Sequence, residues 1–536
     1  MKKRNVIALA GVALLSSGIL AACSGGSKSS SSNSSESGQK FSYVYETEPE
    51  NLNYITSGKA ATHEITGNLI DGLFENDKYG NLIPSLAEDW SVSEDGLTYT
   101  YKLRKDAKWY DSEGEEYADV TAHDFVTGIK YAADHKSEML YIIQNSIKGL
   151  NEYAGGKNSD FSAVGIKALD DHTLEVTLNQ AEPFWNSKLT LGITFPVNEK
   201  FVESKGDKFA QASDTSSLLY NGPYILKSFT SKSSIEMSKN ENYWDKDNVH
   251  ITDVKLEYYD GQDQSKLANS FEDNALSLAK LFPTGPGFTD QAEKFKDEII
   301  YTPQDASTFV MGVNIDRQSY KYTSKKTDEE KSSTKKALLN KDFRQAISFA
   351  FDREAYAAQA NGKDGASKLI RNLYIPPTFV QADGKTFGEM VKTQLVTYGD
   401  EWKDANLDDG QNGLYDAKKV GLYDFEKMLN EAGAETQDLN KRYEKYAVAQ
   451  AWLTDSGLVI PTTSKTGRPF LTRVEPFSAP FGWTGGKGKD NVVYKGMKLQ
   501  DKAVTTEEYN KALEKWKKEQ AESVQKAQEE VKSHVK

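Results

Sequence analysis

Six histidines, one cysteine and 79 acidic side chains are the groups in these 536 residues from which catalysis or metal binding would have to be built. None falls into a working spacing. His63-Glu64-Ile65-Thr66-Gly67 starts like a zinc-protease helix, but Gly67 stands where the second histidine belongs. His123, His135, His172, His250 and His534 are scattered singly, and a lone imidazole is more often structural or solvated than a ligand. The chain contains no G-x-S-x-G and no G-x-x-x-x-G-K-[ST]; Gly485-Gly486-Lys487-Gly488-Lys489 lacks the spacing and hydroxyl that cradle phosphate. Asp408-Asp409-Gly410-Gln411-Asn412-Gly413 lacks the alternating carboxylates and terminal glutamate of a calcium loop. A single cysteine excludes a disulfide framework and a thiolate zinc site. The expectation is a non-enzyme with no catalytic residues, no metal ligands and no cofactor.

The cysteine suggests a different chemistry. A basic start, Met1-Lys2-Lys3-Arg4, leads into the apolar run Val6 to Leu15, too short to anchor a protein across a bilayer. Small residues then converge on Leu20-Ala21-Ala22-Cys23, which resembles the bacterial lipobox, where the thiol is lipidated and the chain is cut before it. Residues 1–22 read as a lipoprotein signal peptide and Cys23 as the lipidation site. The alternative is an ordinary cleaved signal with an incidental cysteine. Residues 23–40, rich in Ser and including Ser29-Ser30-Ser31-Ser32, form anchor and tether, because nothing in them can bury itself.

The elements that follow alternate in type. Phe41-Ser42-Tyr43-Val44-Tyr45 reads as a strand, and Leu97–Leu103 after the turn Asp95-Gly96 and Leu174–Leu178 after Asp170-Asp171 read as hairpin arms. Thr121 can cap a helix whose third position is Asp124. Apolar residues recur at helical spacing around Asp342–Ala350 and from Leu439 to Thr454, ahead of the buried-strand candidate Leu458-Val459-Ile460. Thr505 and Glu508 form a capping box for a long charged helix to Lys536, docking through Tyr509, Leu513 and Trp516; a partner-binding coiled coil is the other reading. This pattern predicts a mixed α/β protein, and the length predicts about three domains. Once residues 1–22 are removed the formal charge is −16, an acidic balance that argues against nucleic acid as a partner. The body is rich in aromatics, with 28 Tyr, 23 Phe and 8 Trp, rings that commonly line sites for extended, variable ligands.

Several blocks, in order along the chain, resemble the oligopeptide-binding lipoproteins that serve ABC importers, specifically the streptococcal ones (extracellular solute-binding protein family 5). They are Leu86-Ala87-Glu88-Asp89-Trp90, Asp95 to Trp109, Val120 to Phe125, Tyr220-Asn221-Gly222-Pro223-Tyr224, Asn242-Tyr243-Trp244, Asp342-Phe343-Arg344-Gln345-Ala346 with Asp352-Arg353, and Ala449 to Asp455. The resemblance implies a two-lobed, periplasmic-binding-protein-like (type II) α/β fold with an extra domain in the first lobe. It places lobe I at 41–60, 196–300 and 465–500, the extra domain at 61–195, lobe II at 301–464 and a charged helix at 501–536. It further implies a monomer, lipid-anchored on the outer face of a Gram-positive cell membrane, that closes on oligopeptides and delivers them to ABC permease subunits.

The chain departs from that family between Asp416-Ala417-Lys418-Lys419-Val420 and Gly421-Leu422-Tyr423-Asp424-Phe425. Relatives carry there a block containing a W-x-x-D-Y-x-D-P segment, which supplies the aspartate for the peptide's α-amino group and much of the sheet of lobe II. The resemblance therefore implies a shortened lobe II, and keeps open a degenerate surface lipoprotein acting as adhesin, decoy or sensor partner. Peptide contacts carried over by position are Glu48, Tyr141, Asn221 and Asn314. Their alternatives are a solvated turn carboxylate for Glu48, turn or strand-end roles for the two asparagines, and core packing for Tyr141.

Overall fold

Apolar residues alternating along short strands set the architecture. The protein is described here by a computed structural model for residues 38–302, 307–317, 319–382, 384–398, 422–436, 438–464, 467–482 and 493–536. These belong to one unit, Gly38–Lys536. Cys23, the tether up to residue 37, Asp408 to Gly413, the 420/421 junction and Gly485 to Lys489 lie outside the described residues.

Strand β1 (Gln39–Tyr45) buries Phe41 and Tyr45. The chain then builds an antiparallel sheet from β2 (Ala87–Val92), β3 (Thr98–Leu103), β4 (Ile166–Asp170) and β5 (Thr173–Thr177), in the order β2-β3-β5-β4. Along β3, Tyr99, Tyr101 and Leu103 point inward while Thr98, Thr100 and Lys102 do not, the two-residue period of a half-buried strand. Helix α1 (Ala122–Asp134) packs beside this sheet. Thr121 is the expected cap, and it closes a full capping box: Thr121 N–H donates to Asp124 Oδ2 at 2.8 Å, and Trp109 Nε1 donates to the same oxygen at 3.1 Å. Burial raises the Asp124 carboxyl to about 6 against these hydrogen bonds.

The chain returns through β6 (Tyr224–Thr230), β7 (Ser234–Lys239) and β8 (Ile251–Tyr258), which complete a sheet in the order β1-β8-β7-β6, with β1 parallel to β8. A three-stranded sheet combines β9 (Leu278–Lys280) and β10 (Ile300–Tyr301) with a later strand, Pro469–Thr472. Next, β11 (Thr308–Gly312) is followed by helices α2 (Asp328–Leu339), α3 (Lys341–Ala350), α4 (Phe387–Leu395) and α5 (Leu439–Ser456), by β12 (Val459–Ser464) and by β13 (Pro469–Thr472). Among the described residues β11 and β12 form a sheet of only two strands. Their ladder is irregular next to Pro461, which has no N–H to donate.

Helix α3 inverts the expected burial. Its apolar positions predict an inward face, yet Phe343 and Phe349 are exposed and the buried residues are Arg344 and Gln345. Both serve the C-terminal end of α5: Arg344 Nη2 donates to Ser456 O at 2.7 Å, and Gln345 Nε2 to Asp455 O at 2.9 Å, satisfying carbonyls that have no partner within the helix. The charged tail forms α6 (Thr506–Ser533), capped by Thr505 and Glu508 and docked through buried Tyr509 and Trp516. Trp516 Nε1 donates to Lys78 O at 2.7 Å, and Val535 bridges to Val92 on the edge of β2.

Candidate functional site

The crossover after β1 carries Glu48, Pro49, Glu50, Asn51, Asn53 and Thr56 over a groove of about 700 Å³, whose remaining lining comes from Asp207, from 209–213 and from Phe229 and Ser231. Three separate stretches of chain therefore converge. Leu52 N–H donates to Ala210 O at 2.8 Å, tying the first stretch to the second. Glu48 accepts from Lys232 N–H at 3.1 Å, tying it to the third. Asn51 and Asn53 fold the crossover on itself: Asn53 N–H donates to Asn51 Oδ1 at 2.9 Å, and Asn53 Oδ1 accepts from Thr56 N–H at 3.1 Å. Both anchoring residues, Ala210 (φ 61°) and Lys232 (φ 49°), hold left-handed backbone that costs a side-chain-bearing residue roughly 1–2 kcal/mol. Surrounding contacts maintain that strain, and among the described residues Lys136, Asn274 and Phe477 hold positive φ outside this lining.

The chemistry of the groove is anionic with apolar walls. Glu48, Glu50 and Asp207 supply carboxylates, no basic side chain among the described residues lines it, and Phe209 and Phe229 supply rings. Such a surface suits a ligand with a cationic amine and apolar side chains. Beneath Glu48, the Tyr45 hydroxyl is pushed up, first by burial and then by the Glu48 charge. A second groove, about 330 Å³ and mostly apolar, lies beside β11 and α2; Met311, Val313, Asn314, Ile315, Leu338 and Ile460 contribute to it. Asn314 Oδ1 there accepts from Asp316 N–H at 3.2 Å.

The four carried-over positions are thus not brought together. Glu48 and Asn314 line different grooves. Asn221 is 2% exposed, and its Oδ1 accepts from Asp71 N–H at 2.8 Å, so its acceptor is spent on a turn next to Gly222. Tyr141 is 71% exposed in a short 3₁₀ turn, which overturns the core-packing alternative. His63, the failed zinc motif, is held by Ser57 O at 2.7 Å, and burial lowers its basicity. No group of three or more potential metal ligands occurs among the described residues.

Residues 81–469 match the middle region of the bacterial extracellular solute-binding proteins, family 5. The chain belongs to that family. It is 54% identical to the oligopeptide-binding protein SarA of Streptococcus gordonii and 52% identical to the oligopeptide-binding protein AliA of Streptococcus pneumoniae, each match covering 100% of both chains. Among solved structures, the substrate-binding domain of an oligopeptide ABC transporter from Bacillus anthracis aligns with a TM-score of 0.64 at 22% identity, over 87% of this chain and 99% of that one. Listeria monocytogenes OppA bound to peptide aligns at 0.63 and 22%, over 87% and 100%. This family 5 protein accordingly has the two-lobed mixed α/β fold of solute-binding proteins. Of the carboxylates that line this groove, the sequence singled out Glu48 and not Glu50 or Asp207. Glu50 lies two residues on from Glu48 in the same turn-like run Glu48-Pro49-Glu50-Asn51; Asp207 carries no local signal, because only tertiary contact brings it to the crossover.

Proposed function

We propose that this protein is a lipid-anchored extracellular receptor that captures oligopeptides and delivers them to the permease subunits of an ABC importer. The observation that carries the reading is the anionic, aromatic-walled groove under Glu48 in a family 5 solute-binding fold. A peptide's α-amino group meets the carboxylates there, its side chains meet Phe209 and Phe229, and closure of the lobes traps it. Two close relatives carry oligopeptide binding in their names, and one structural neighbour holds a peptide. We assign lobe I to 41–60, 196–300 and 465–500, the extra domain to 61–195 and lobe II to 301–464. The separate sheets of β1 with β6–β8, of β2–β5, and of β11 with β12 support that division. Cys23 is the anchor, on the outer face of the membrane.

We further propose that lobe II is shortened near 420/421. The alignment with SarA runs over 664 positions, 128 more than this chain has residues, while spanning 100% of both chains. A two-stranded remnant whose Phe309, Val310 and Met311 are exposed fits such a loss. That remnant favours a second reading, a surface lipoprotein with weakened peptide binding. Calorimetry with mixed short peptides separates the two. The receptor reading requires measurable heat and a rise in melting temperature, since ligand at a hundred times Kd stabilises by about 2.7 kcal/mol. Silence at millimolar peptide leaves the second reading.

A further inference from the structure

We propose that residues 319–341 form a docking surface for an anionic lipid membrane. The 23 residues hold seven lysines against Asp328, Glu329 and Glu330, a net +4 inside a chain of −13, so the remaining residues sum to −17. An anionic surface repels that remainder and attracts this segment, which selects one face for approach. None of the 23 residues is buried.

The lysines differ in how they are occupied. Lys331 pairs with Asp328 at 3.1 Å, Lys335 with Asp316 at 2.7 Å and Lys341 with Asp455 at 2.9 Å. Lys321, Lys325, Lys326 and Lys336 have no ion pair among the described residues. Between the first two of these four, Tyr322 is 90% exposed, more than any other large apolar or aromatic side chain among the described residues. An amphipathic ring beside lysines is the composition that settles at the headgroup level of a bilayer.

The surface is held in place, so the charges are presented by a fixed body. Thr327 and Glu330 close a capping box at the start of α2, Tyr320 and Leu338 line the groove beside Met311, and Leu339 packs on Ile315 and Leu458. The proposed anchor supplies the proximity. Relevance in the cell rests on that anchor, but the binding itself does not.

The test uses the unacylated mature chain from Ser24 in flotation with vesicles of phosphatidylglycerol mixed into phosphatidylcholine, and with phosphatidylcholine alone. Binding to the mixed vesicles, lost in high salt and absent from the neutral ones, is expected. At about fivefold per lysine, K321Q/K325Q/K326Q/K336Q weakens it by about 600-fold at unchanged melting temperature. Tyr322→Ala weakens it by about threefold. K511Q/K515Q/K517Q/K518Q on α6 leaves it unchanged. No binding to mixed vesicles, equal binding by the first quadruple variant, equal loss with the α6 variant, or equally tight binding of soluble polyglutamate would overturn the proposal; failure here leaves the lipid anchor standing.

Discussion

Glu48 holds its carboxylate over the groove through a single backbone N–H at its rim, and the charges around it are of the same sign. An incoming ammonium group would relieve that repulsion, so the proposed peptide site is expected to favour cationic ligands. Glu48→Gln keeps the acceptor for Lys232 N–H and removes the charge; a loss of roughly tenfold in peptide affinity is expected by calorimetry, with little change in melting temperature. An unchanged affinity would move the binding site elsewhere. Asp124 makes a pH prediction. Its native carboxyl is raised to about 6 from an ordinary value near 3.8, so the folded state binds the proton more tightly than the unfolded chain. Its contribution is therefore favourable below about pH 4 and is lost as pH rises through 6. Asp124→Asn retains an acceptor for Thr121 N–H and Trp109 Nε1. The stability difference between wild type and variant, from denaturant titrations at pH 4 and pH 7, shifts by about 2–3 kcal/mol in favour of the variant on going to pH 7.

At the scale of elements, α6 behaves as a strap. Its buried side touches Phe477 through Tyr509 and Trp516, and its end adds Val535 to the edge of the β2 sheet, far along the chain from where the helix begins. A sheet edge covered in this way offers fewer unpaired backbone groups to other chains. Trp516→Ala removes the stacking on Phe477, at 5.0 Å between ring centres, and leaves Lys78 O without its donor. A loss of about 3 kcal/mol in denaturant unfolding is expected. Thr505→Ala, which removes only the cap, costs about 1 kcal/mol, and the two variants rank in that order. Helix α3 shows why spacing alone misjudged its inner face: hydrophobic period tells which residues share a side, whereas the carbonyls ending α5 decided that the Arg344 side goes in.

For the whole molecule, the exposed strand β11 is the liability. It carries no charged residue from Thr308 to Gly312, and Phe309, Val310 and Met311 meet solvent on both faces. An uncharged, apolar edge of this kind templates pairing with other chains. Val310→Lys is therefore expected to lower concentration-dependent light scattering on warming while leaving far-UV circular dichroism unchanged. If scattering is identical, the edge is covered in solution.

Helix caps, strand alternation and helical apolar spacing are local codes, written within a few residues, and these were legible: the Thr121 cap, the Thr505–Glu508 capping box, the strand at Phe41 to Tyr45 and the helix from Leu439 to Thr454 all formed. Family membership was legible too, since it rests on ordered blocks along one strand of text. Burial and convergence were not. Whether Tyr141 sits inside or out is decided by tertiary packing, and whether Asn221 faces a ligand or Asp71 and whether Asp207 joins Glu48 depend on segments more than a hundred residues apart meeting in space. Such meetings are set by the summed packing of the whole chain, and no short window of residues contains that sum.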